Sequence, residues 1–220
     1  MHYAKLVAKT EPFNIDACNT ADEFIAYCAR VSNPSNQSNT ETSPKLLKYL
    51  RKNKHWSVFE MAHAVMEITT TRDIARQILR HRSFSFQEFS QRYADPTKDL
   101  GFEIREARLQ DTKNRQNSIA TDDKTLKGTW EVIQSKCIEQ TIIDYKWAIE
   151  HGIAKEQARA ILPEGLTVSR LYMAGSVRSW IHYCQLRMAN GTQQEHRDVA
   201  TSCWYELTAA FPSLRDSLQE

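Results

Sequence analysis

The run from Arg80 to Tyr93, which reads RHRSFSFQEFSQRY, limits what this chain can fold into more than any other segment. It carries three arginines and a histidine, interleaved with four aromatic residues. A solvated basic tail has no use for so many aromatic side chains. Arginine presents five donors in a fixed plane and keeps its charge. The run therefore predicts a folded cleft in which a planar ring stacks and an anion is bound.

The residues just before the run predict how it is positioned. A helix is predicted over 72–79, and Gln77 and Arg80, three residues apart, lie on one of its faces. Taken alone, a solvated helix end with cations near its C-terminus explains this pair about equally well. Apolar neighbours such as Ile74 and Phe84 instead predict that the segment turns inward. Buried arginines without an anion are costly, so phosphate is the expected ligand.

Three other polar residues of the run have simple interpretations. Ser90 lacks the Gly-x-Ser-x-Gly context of a hydrolase nucleophile, so a hydrogen bond to phosphate or backbone is favoured. Glu88 is expected to pair with an arginine because it stands among aromatic residues. His81, between two arginines, is expected to be a neutral donor rather than a base.

A second segment, residues 176–189, predicts a helix with polar groups on two sides. Arg178 and His182 are four residues apart and share a face, whereas Arg187, nine residues beyond Arg178, falls on the opposite face. Most of the other positions are apolar, which is typical of a buried helix, often one between subunits. Cations on both sides of such a helix predict ligand sites on both sides.

The remaining pattern predicts an α+β, helix-rich single domain over residues 1–220, with a small antiparallel sheet. Other helices are predicted over 22–31, 125–151, 155–162 and 193–211, with a further one capped by Ser43; strands are predicted over 63–71, 102–105 and 166–173. Residues 32–43 read as a polar, mobile loop, and 110–125 show no period.

Composition and motif searches exclude several classes. A net charge of +2 is too small for a general nucleic-acid binder. Five widely spaced cysteines without C-x-x-C predict neither a disulfide framework nor a zinc site, and Cys184 is interpreted as an inert core residue rather than a nucleophile. No signal-peptide pattern and no apolar run of about 20 residues occurs, so a cytoplasmic protein without membrane contact is expected. Glycine-rich nucleotide loops are also missing, so side chains must hold any nucleotide.

The triplet at 80–82, followed after seven residues by Ser90 and flanked by Glu88 and Arg92, resembles the signature of the flavin-dependent thymidylate synthases. The resemblance extends over most of residues 22–200. Its other parts are HWSVFE from His55, Ala-Arg-x-x-Leu-Pro from Ala158 and SVRS-x-x-His from Ser176.

The resemblance implies a role for each matching residue. The implied FAD-binding residues are His55, Ser57, Arg80, His81, Arg82, Glu88, Ser176, Val177, Arg178 and His182. The implied dUMP-binding residues are Gln77, Ile78, Leu79, Arg80, Glu88, Phe89, Ser90, Gln91, Arg92, Arg159 and Arg187. Arg187 matches the family's arginine that activates the uracil and is therefore the implied catalytic residue. No metal is expected. Ser176 and Gln87 depart from the family pattern, which often has Asn at the first position and Ser or Asn at the second.

The implied reaction converts dUMP to dTMP, with the one-carbon unit from 5,10-methylenetetrahydrofolate and hydride from NADPH through FAD. Hydride passage requires a cofactor because no side chain provides it. A cation at the uracil, the implied role of Arg187, stabilises negative charge that develops on the ring. The resemblance also implies a homotetramer whose active sites are shared between subunits, and a mechanism without an enzymic cysteine.

Two other hypotheses remain from the sequence. An arginine–aromatic surface can stack single-stranded nucleic acid, which predicts salt-sensitive oligonucleotide binding and a colourless protein. A structural helical protein with a coincidental motif is the third. A visible spectrum distinguishes them, because only the flavin hypothesis predicts a yellow protein.

Overall fold

The computed structural model describes residues 1–215, and a four-stranded antiparallel sheet organises them. The strands are β1 (Tyr3–Lys9), β2 (His63–Thr71), β3 (Ser85–Glu88) and β6 (Val168–Ser176), with β4 (Arg108–Gln110) and β5 (Ser118–Ala120) forming a separate hairpin. The helices are α1 (Ala21–Ala29), α2 (Ser43–Lys52), α3 (Arg72–Ile78), α4 (Pro96–Asp99), α5 (Lys124–Glu150), α6 (Lys155–Ala158), α7 (Val177–Arg187) and α8 (Gln194–Ala210). The 3₁₀ turns are Pro34–Asn36, Trp56–Glu60, Arg159–Ile161 and Pro212–Leu214. The strand order is β1-β2-β6-β3.

Alternation along the central strands places the core on one face of the sheet. Met66 and Ile68 of β2 and Leu171 and Met173 of β6 are fully buried, whereas residues between them face the other side. Helices α7 and α8 cover the buried face, and Trp180 donates its indole N–H to the carbonyl of Ala64 at 3.1 Å. The sequence prediction of an α+β, helix-rich fold with a small antiparallel sheet is confirmed.

The long predicted elements are confirmed with small changes of boundary. Strand 63–71 and helix 72–79 are present, the long helix covers Lys124–Glu150, and Gly152 follows it with a positive φ of 78°. That left-handed conformation is one that glycine adopts without steric cost. The helix predicted over 155–162 is split into α6 and a 3₁₀ turn, and the strand predicted over 166–173 runs instead from Val168 to Ser176.

Several local predictions were wrong. Residues 102–105 form only an isolated antiparallel bridge between Phe102 and Thr167, just before β6 begins. Ser43 is the first residue of α2 rather than its cap. The hairpin β4–β5 lies within a region that shows no sequence period. The predicted polar loop at 32–43 is present and contains the 3₁₀ turn Pro34–Asn36, and the buried Arg30 donates to the carbonyl of Asn39 and to the hydroxyl of Thr42.

Strands β1 and β3 also escaped the sequence prediction, because neighbours in space define them. Strand β1 pairs with β2, and the backbone N–H groups of Ala4 and Leu6 also donate to side chains of α8. Strand β3 lies inside the arginine–aromatic run and pairs with the outer edge of β6. No helix within residues 1–215 is long and apolar enough to cross a membrane.

Candidate active site

Strand β3 stretches the arginine–aromatic run along β6 and so separates its two ends. Ser85 pairs with Ala174 near the start of α7, while Glu88 pairs with Leu171 towards the other end of β6. Gly175 makes this approach possible, because a Cβ there would lie 2.4 Å from Cδ1 of Phe84. The Phe84 ring is buried against Trp180, with ring centroids 4.8 Å apart.

The first group of polar side chains, the Arg187 cluster, consists of Gln77, His81, Tyr183, Arg187 and His196. Arg187 Nε donates a hydrogen bond of 2.9 Å to His81 Nε2. His81 is therefore neutral and carries its proton on Nδ1. Burial, together with the Arg187 charge, lowers the pKa of His81 from 6.5 to about 4. The sequence predicted a neutral donor, whereas Nε2 accepts and holds the guanidinium in place.

The second group, the Arg178 cluster, consists of Glu60, Ser176, Arg178 and His182 and lies around the start of α7. It forms because His63 pairs with Ser176 and because Val177 N donates to the Ala62 carbonyl at 2.8 Å, which ties the turn Trp56–Glu60 to the helix. Arg178 Nη1 then lies 2.9 Å from Glu60 Oε1. The ring of His182 packs edge-on against Trp56, with centroids 4.8 Å apart.

Two features of the Arg178 cluster affect its titratable groups: Ser176 at the N-terminus of α7 and the positive charge of Arg178. Ser176 caps α7, because its hydroxyl oxygen accepts a hydrogen bond from Ser179 N at 3.2 Å. The departure from the family pattern at this position therefore still leaves an N-cap residue. Hydrogen bonding to Ser176 is the largest cause of a lowered pKa of Glu60. Burial, then the Arg178 charge, lowers the pKa of His182.

The third group lines a cavity of about 370 Å³, the arginine cavity. It is bounded by Arg72, Arg76, Gln91, Glu156, Arg159, Ala160, Leu162 and Glu164. Arg76 pairs with Glu164, and Arg92 at the rim lies 3.6 Å from Glu156. Arg159 has no ion-pair partner among residues 1–215. Gln91 is buried, and its Nε2 has no hydrogen-bond partner in the described part of the chain. An unused donor beside an unpaired guanidinium suits a phosphate.

Glu88 and Ser90 stand beside the arginine cavity. Glu88 accepts from the Ser169 hydroxyl at 2.8 Å, and Arg72 Nη1 lies 3.5 Å from the same carboxylate. The expected arginine partner of Glu88 thus comes from α3 and not from the run itself. Ser90 Oγ accepts from Arg92 N at 3.3 Å, a local backbone contact of the kind that the sequence favoured over a nucleophile.

Other predicted residues are placed differently from the expectation. Arg80 and Arg82 are exposed, so the run is not a buried arginine cluster; Phe84 and Gln91 are its buried side chains. Ile78 and Val177 have fully buried side chains, which leaves only their backbone for a ligand. Leu79 and Phe89 are half-buried, and Phe89 N donates to the Arg170 carbonyl at 2.8 Å. His55 and Ser57 are exposed on the turn that precedes β2.

One chain does not bring all of these groups into a single pocket. Glu88 contacts Ser169, and the Arg178 cluster begins at Ser176, at the other end of the same strand. Seven residues of extended chain span about 23 Å. Arg187 and Arg178 leave α7 on different sides, one towards His81 and one towards Glu60, as the sequence predicted. Their helix is buried on one side only, because His182, Gln185 and Leu186 are exposed.

The donor set fits a flavin dinucleotide and a nucleotide monophosphate. Arg80 and Arg82 have no ion-pair partner within residues 1–215, which leaves two exposed cations for a diphosphate. Arg187 keeps both terminal nitrogens without a hydrogen-bond partner in the same residues. No group of three or more metal-ligating side chains occurs in the described chain.

Sequence reasoning missed Glu60, Tyr183, Gln193 and His196. Glu60 had a signal as the last residue of HWSVFE, whereas the other three act through partners that no local pattern encodes; His196 reaches Gln77 across 119 positions. Arg72 and Arg76 had a signal, since they are four residues apart on the helix that enters the run.

The chain is similar to known proteins over nearly its whole length. The family described as thymidylate synthase complementing protein matches residues 15–213. A probable flavin-dependent thymidylate synthase of Paramecium bursaria Chlorella virus 1 is 49% identical over 215 residues, which cover 98% of both chains. The flavin-dependent thymidylate synthase of a Synechocystis strain is 50% identical over 196 residues, covering 89% of this chain and 88% of the relative.

Solved structures show the same fold. A UMP/dUMP methylase from Streptomyces cacaoi, crystallised with 5-Br dUMP, superposes with a TM-score of 0.80 over all of this chain and 95% of the methylase, at 24% identity. The sequence matches, which span nearly the whole chain, establish the relationship. The chain belongs to the family of flavin-dependent thymidylate synthases.

Proposed function

We propose that the three groups of side chains are parts of one active site that converts dUMP to dTMP and that is completed by more than one subunit of a homotetramer. FAD is the cofactor, and 5,10-methylenetetrahydrofolate and NADPH are the co-substrates. The observation that carries the proposal is the bond between Arg187 and His81. It joins the proposed catalytic arginine to the signature while leaving the arginine's terminal nitrogens available.

Arg187 binds the uracil and stabilises the negative charge that develops on the ring during the reaction. Because the neutral His81 accepts from Nε, the guanidinium is aimed without losing its charge. A positioned donor in a site from which water is excluded contributes more than the same donor in water.

The arginine cavity binds the phosphate of dUMP. Arg159 supplies the unpaired charge, and Gln91 supplies the buried, unused N–H. Ser90 and Arg92 lie at the rim and complete the grip, with Arg80 approaching from the start of the run. Gln77 contacts the nucleoside, with Glu88 and Phe89 close to it; Ile78 and Leu79 contribute backbone.

Residues of the Arg178 cluster hold FAD together with the start of the signature. Arg178, His182, Ser176 and the Val177 backbone bind from α7, and His55 and Ser57 bind from the turn beside it. Arg80, His81, Arg82 and Glu88 complete the set. The flavin, when bound, supplies the hydride transfer that side chains cannot provide.

Sharing between subunits follows from the spacing of the groups and from the exposed apolar surface. Groups about 23 Å apart on one strand serve one ligand set most simply when a neighbouring chain fills the gap. Helix α5 offers a surface for such contacts, because Val132, Ile133, Ile143 and Trp147 are each more than half exposed. Contiguous exposed apolar side chains mark interaction sites.

The single-stranded nucleic-acid hypothesis has less support. Base stacking requires exposed rings. Of the four aromatic residues in the run, only Tyr93 is exposed, at 82%, whereas Phe84 is buried and Phe86 and Phe89 are half-buried.

A purified sample tests the proposal in two steps. The visible spectrum is expected to show a flavin band that bleaches when NADPH is added. Incubation with dUMP and 5,10-methylenetetrahydrofolate is then expected to yield dTMP only while FAD is present. A colourless protein that forms no dTMP with added FAD would contradict the proposal.

A further inference from the structure

A chain of hydrogen bonds runs through the protein interior from Tyr183 through His196 and Gln77 to Gln193. The hydroxyl of Tyr183 lies 3.2 Å from His196 Nε2, and His196 Nδ1 lies 3.1 Å from Gln77 Oε1. Gln77 Nε2 then donates to Gln193 Oε1 at 2.8 Å. Tyr183 and His196 are almost completely buried. Neither residue belongs to the signature or to its matching segments.

The burial of Tyr183 fixes the direction of every bond in this chain. The Tyr183 O–H has one acceptor among residues 1–215, His196 Nε2, and a buried hydroxyl without an acceptor is costly. Nε2 must therefore be the bare nitrogen, so the proton of His196 is on Nδ1. Nδ1–H donates to the Gln77 oxygen, and the Gln77 amide nitrogen must face Gln193. The opposite direction would leave the tyrosine proton without an acceptor.

The neutral state of His196 preserves this direction. Burial, then the charges of Arg187 and His81, lowers the pKa of His196 from 6.5 to about 3. The ring therefore has one donor and one acceptor throughout the neutral range. A protonated ring would donate from both nitrogens and oppose the tyrosine hydroxyl.

We propose that Tyr183 and His196 are positioning residues for the nucleotide, because they hold the side-chain amide of Gln77 in one of its two orientations. This inference rests on the proposed function, which assigns Gln77 to dUMP. In the fixed orientation, the Gln77 oxygen lies on the side of His196 and the amide nitrogen on the side of Gln193. One N–H and one oxygen lone pair then remain for the nucleotide. A freely turning amide would present the correct donor and acceptor only part of the time, and its apparent affinity would fall accordingly.

The test removes the hydroxyl that fixes the direction of the hydrogen bonds and leaves Gln77 in place. In FAD-loaded enzyme, Tyr183→Phe deletes only the buried hydroxyl. We expect the dUMP dissociation constant to rise about two- to tenfold, between the factor for two equally populated orientations and that for one lost hydrogen bond. KM for dUMP should rise in parallel while kcat and FAD content stay close to wild type; the melting temperature should fall by about 2–4 °C for each kcal/mol lost, because His196 Nε2 loses its partner. Tyr205→Phe is the matched control, because Tyr205 is 71% exposed and the variant should bind dUMP normally.

A double-mutant cycle separates positioning from a general loss of packing. If Tyr183 acts through Gln77, Tyr183→Phe should have no further effect in a Gln77→Ala background. The inference would be overturned if the increases in the dUMP dissociation constant of the two single variants multiplied in the double variant. Wild-type dUMP binding by Tyr183→Phe would overturn it as well.

The same variants distinguish this inference from the proposed function. Normal dUMP binding by Gln77→Ala would overturn the assignment of Gln77 and the inference with it. Weak binding by Gln77→Ala together with normal binding by Tyr183→Phe would overturn the inference alone.

Discussion

Arg187 and His81, which lie 106 positions apart in the sequence, are joined by a hydrogen bond of 2.9 Å from Nε of the arginine to Nε2 of the histidine. The bond fixes the histidine as the neutral tautomer with its proton on Nδ1. The two terminal nitrogens of the guanidinium have no hydrogen-bond partner within residues 1–215. One contact thus fixes both the protonation state of His81 and the position of the Arg187 guanidinium.

Removing Arg187 should abolish chemistry without emptying the flavin site. Arg187 lies on the opposite side of α7 from Arg178 and His182, so Arg187→Ala should keep its FAD absorbance and its oligomeric state. Loss of one charge-stabilising donor lowers the rate by about 10²–10³. The assay is tritium release from 5-labelled dUMP, with the exposed Gln185→Ala as the control on the same helix. Release at the wild-type rate by Arg187→Ala would show that the role is misassigned.

Arginine-to-lysine changes should separate phosphate binding from simple charge. Arg80→Lys, Arg92→Lys and Arg159→Lys each keep the charge but lose the planar fork, so dUMP affinity should fall at constant net charge. Arg170→Lys is the control, because Arg170 is exposed on β6. Calorimetric dUMP titrations measure the effect, and unchanged affinity in all three variants would refute the phosphate assignment.

Gly175 should tolerate no side chain. A Cβ there meets the Phe84 ring at 2.4 Å, so Gly175→Ala must displace the ring from Trp180 and strain the start of the signature. Overpacking of this kind costs about 1–3 kcal/mol. Gly128→Ala is the matched control: it lies in α5 with no atom within 4 Å of the added Cβ, and it should be neutral or stabilise by about 0.5–1 kcal/mol. Equal melting temperatures for the two variants would contradict the packing account.

Acid should destabilise the fold through two histidines. The pKa of His81 is lowered to about 4 and that of His196 to about 3, whereas an unfolded histidine titrates near 6.5. Below pH 6.5 the unfolded chain therefore binds more protons than the folded chain. The stabilisation from these two neutral histidines should be fully present above pH 6.5 and should be lost as the pH decreases to about 4 for His81 and to about 3 for His196. Denaturant titrations measure this fall, and it should be shallower in His196→Gln; parallel profiles would show that His196 contributes nothing.

Long periodic segments and the signature were predictable from the sequence, but the short elements were not. The alternation of β2 is a local pattern that burial of one face explains, and the end of α5 is marked by Gly152. Strand β3 is four residues long and exists because the edge of β6 is open to it. The pairing of Arg187 with His81 depends on α7 passing beside the end of α3, which no local pattern encodes. The sequence therefore predicted candidate ligand-binding residues, whereas the tertiary fold determined which of them meet.

The central claim is that each active site is completed by more than one chain. Ser57 lies on the exposed turn beside the Arg178 cluster, and Arg187 lies on the other side of α7. Ser57→Trp should block the flavin site and Arg187→Ala should block chemistry, so each variant alone should be inactive. Co-expressed as two tagged chains, they should form mixed tetramers, of about four times the 25.5 kDa chain mass, in which some sites contain neither lesion.

The most direct measurement is dTMP formation by these purified mixed tetramers. We expect a substantial fraction of wild-type activity to return, because an intact Ser57 from one chain and an intact Arg187 from another meet in the same site. Activity no higher than that of either parent variant, or full activity in a sedimenting monomer of the wild-type chain, would contradict the shared-site account.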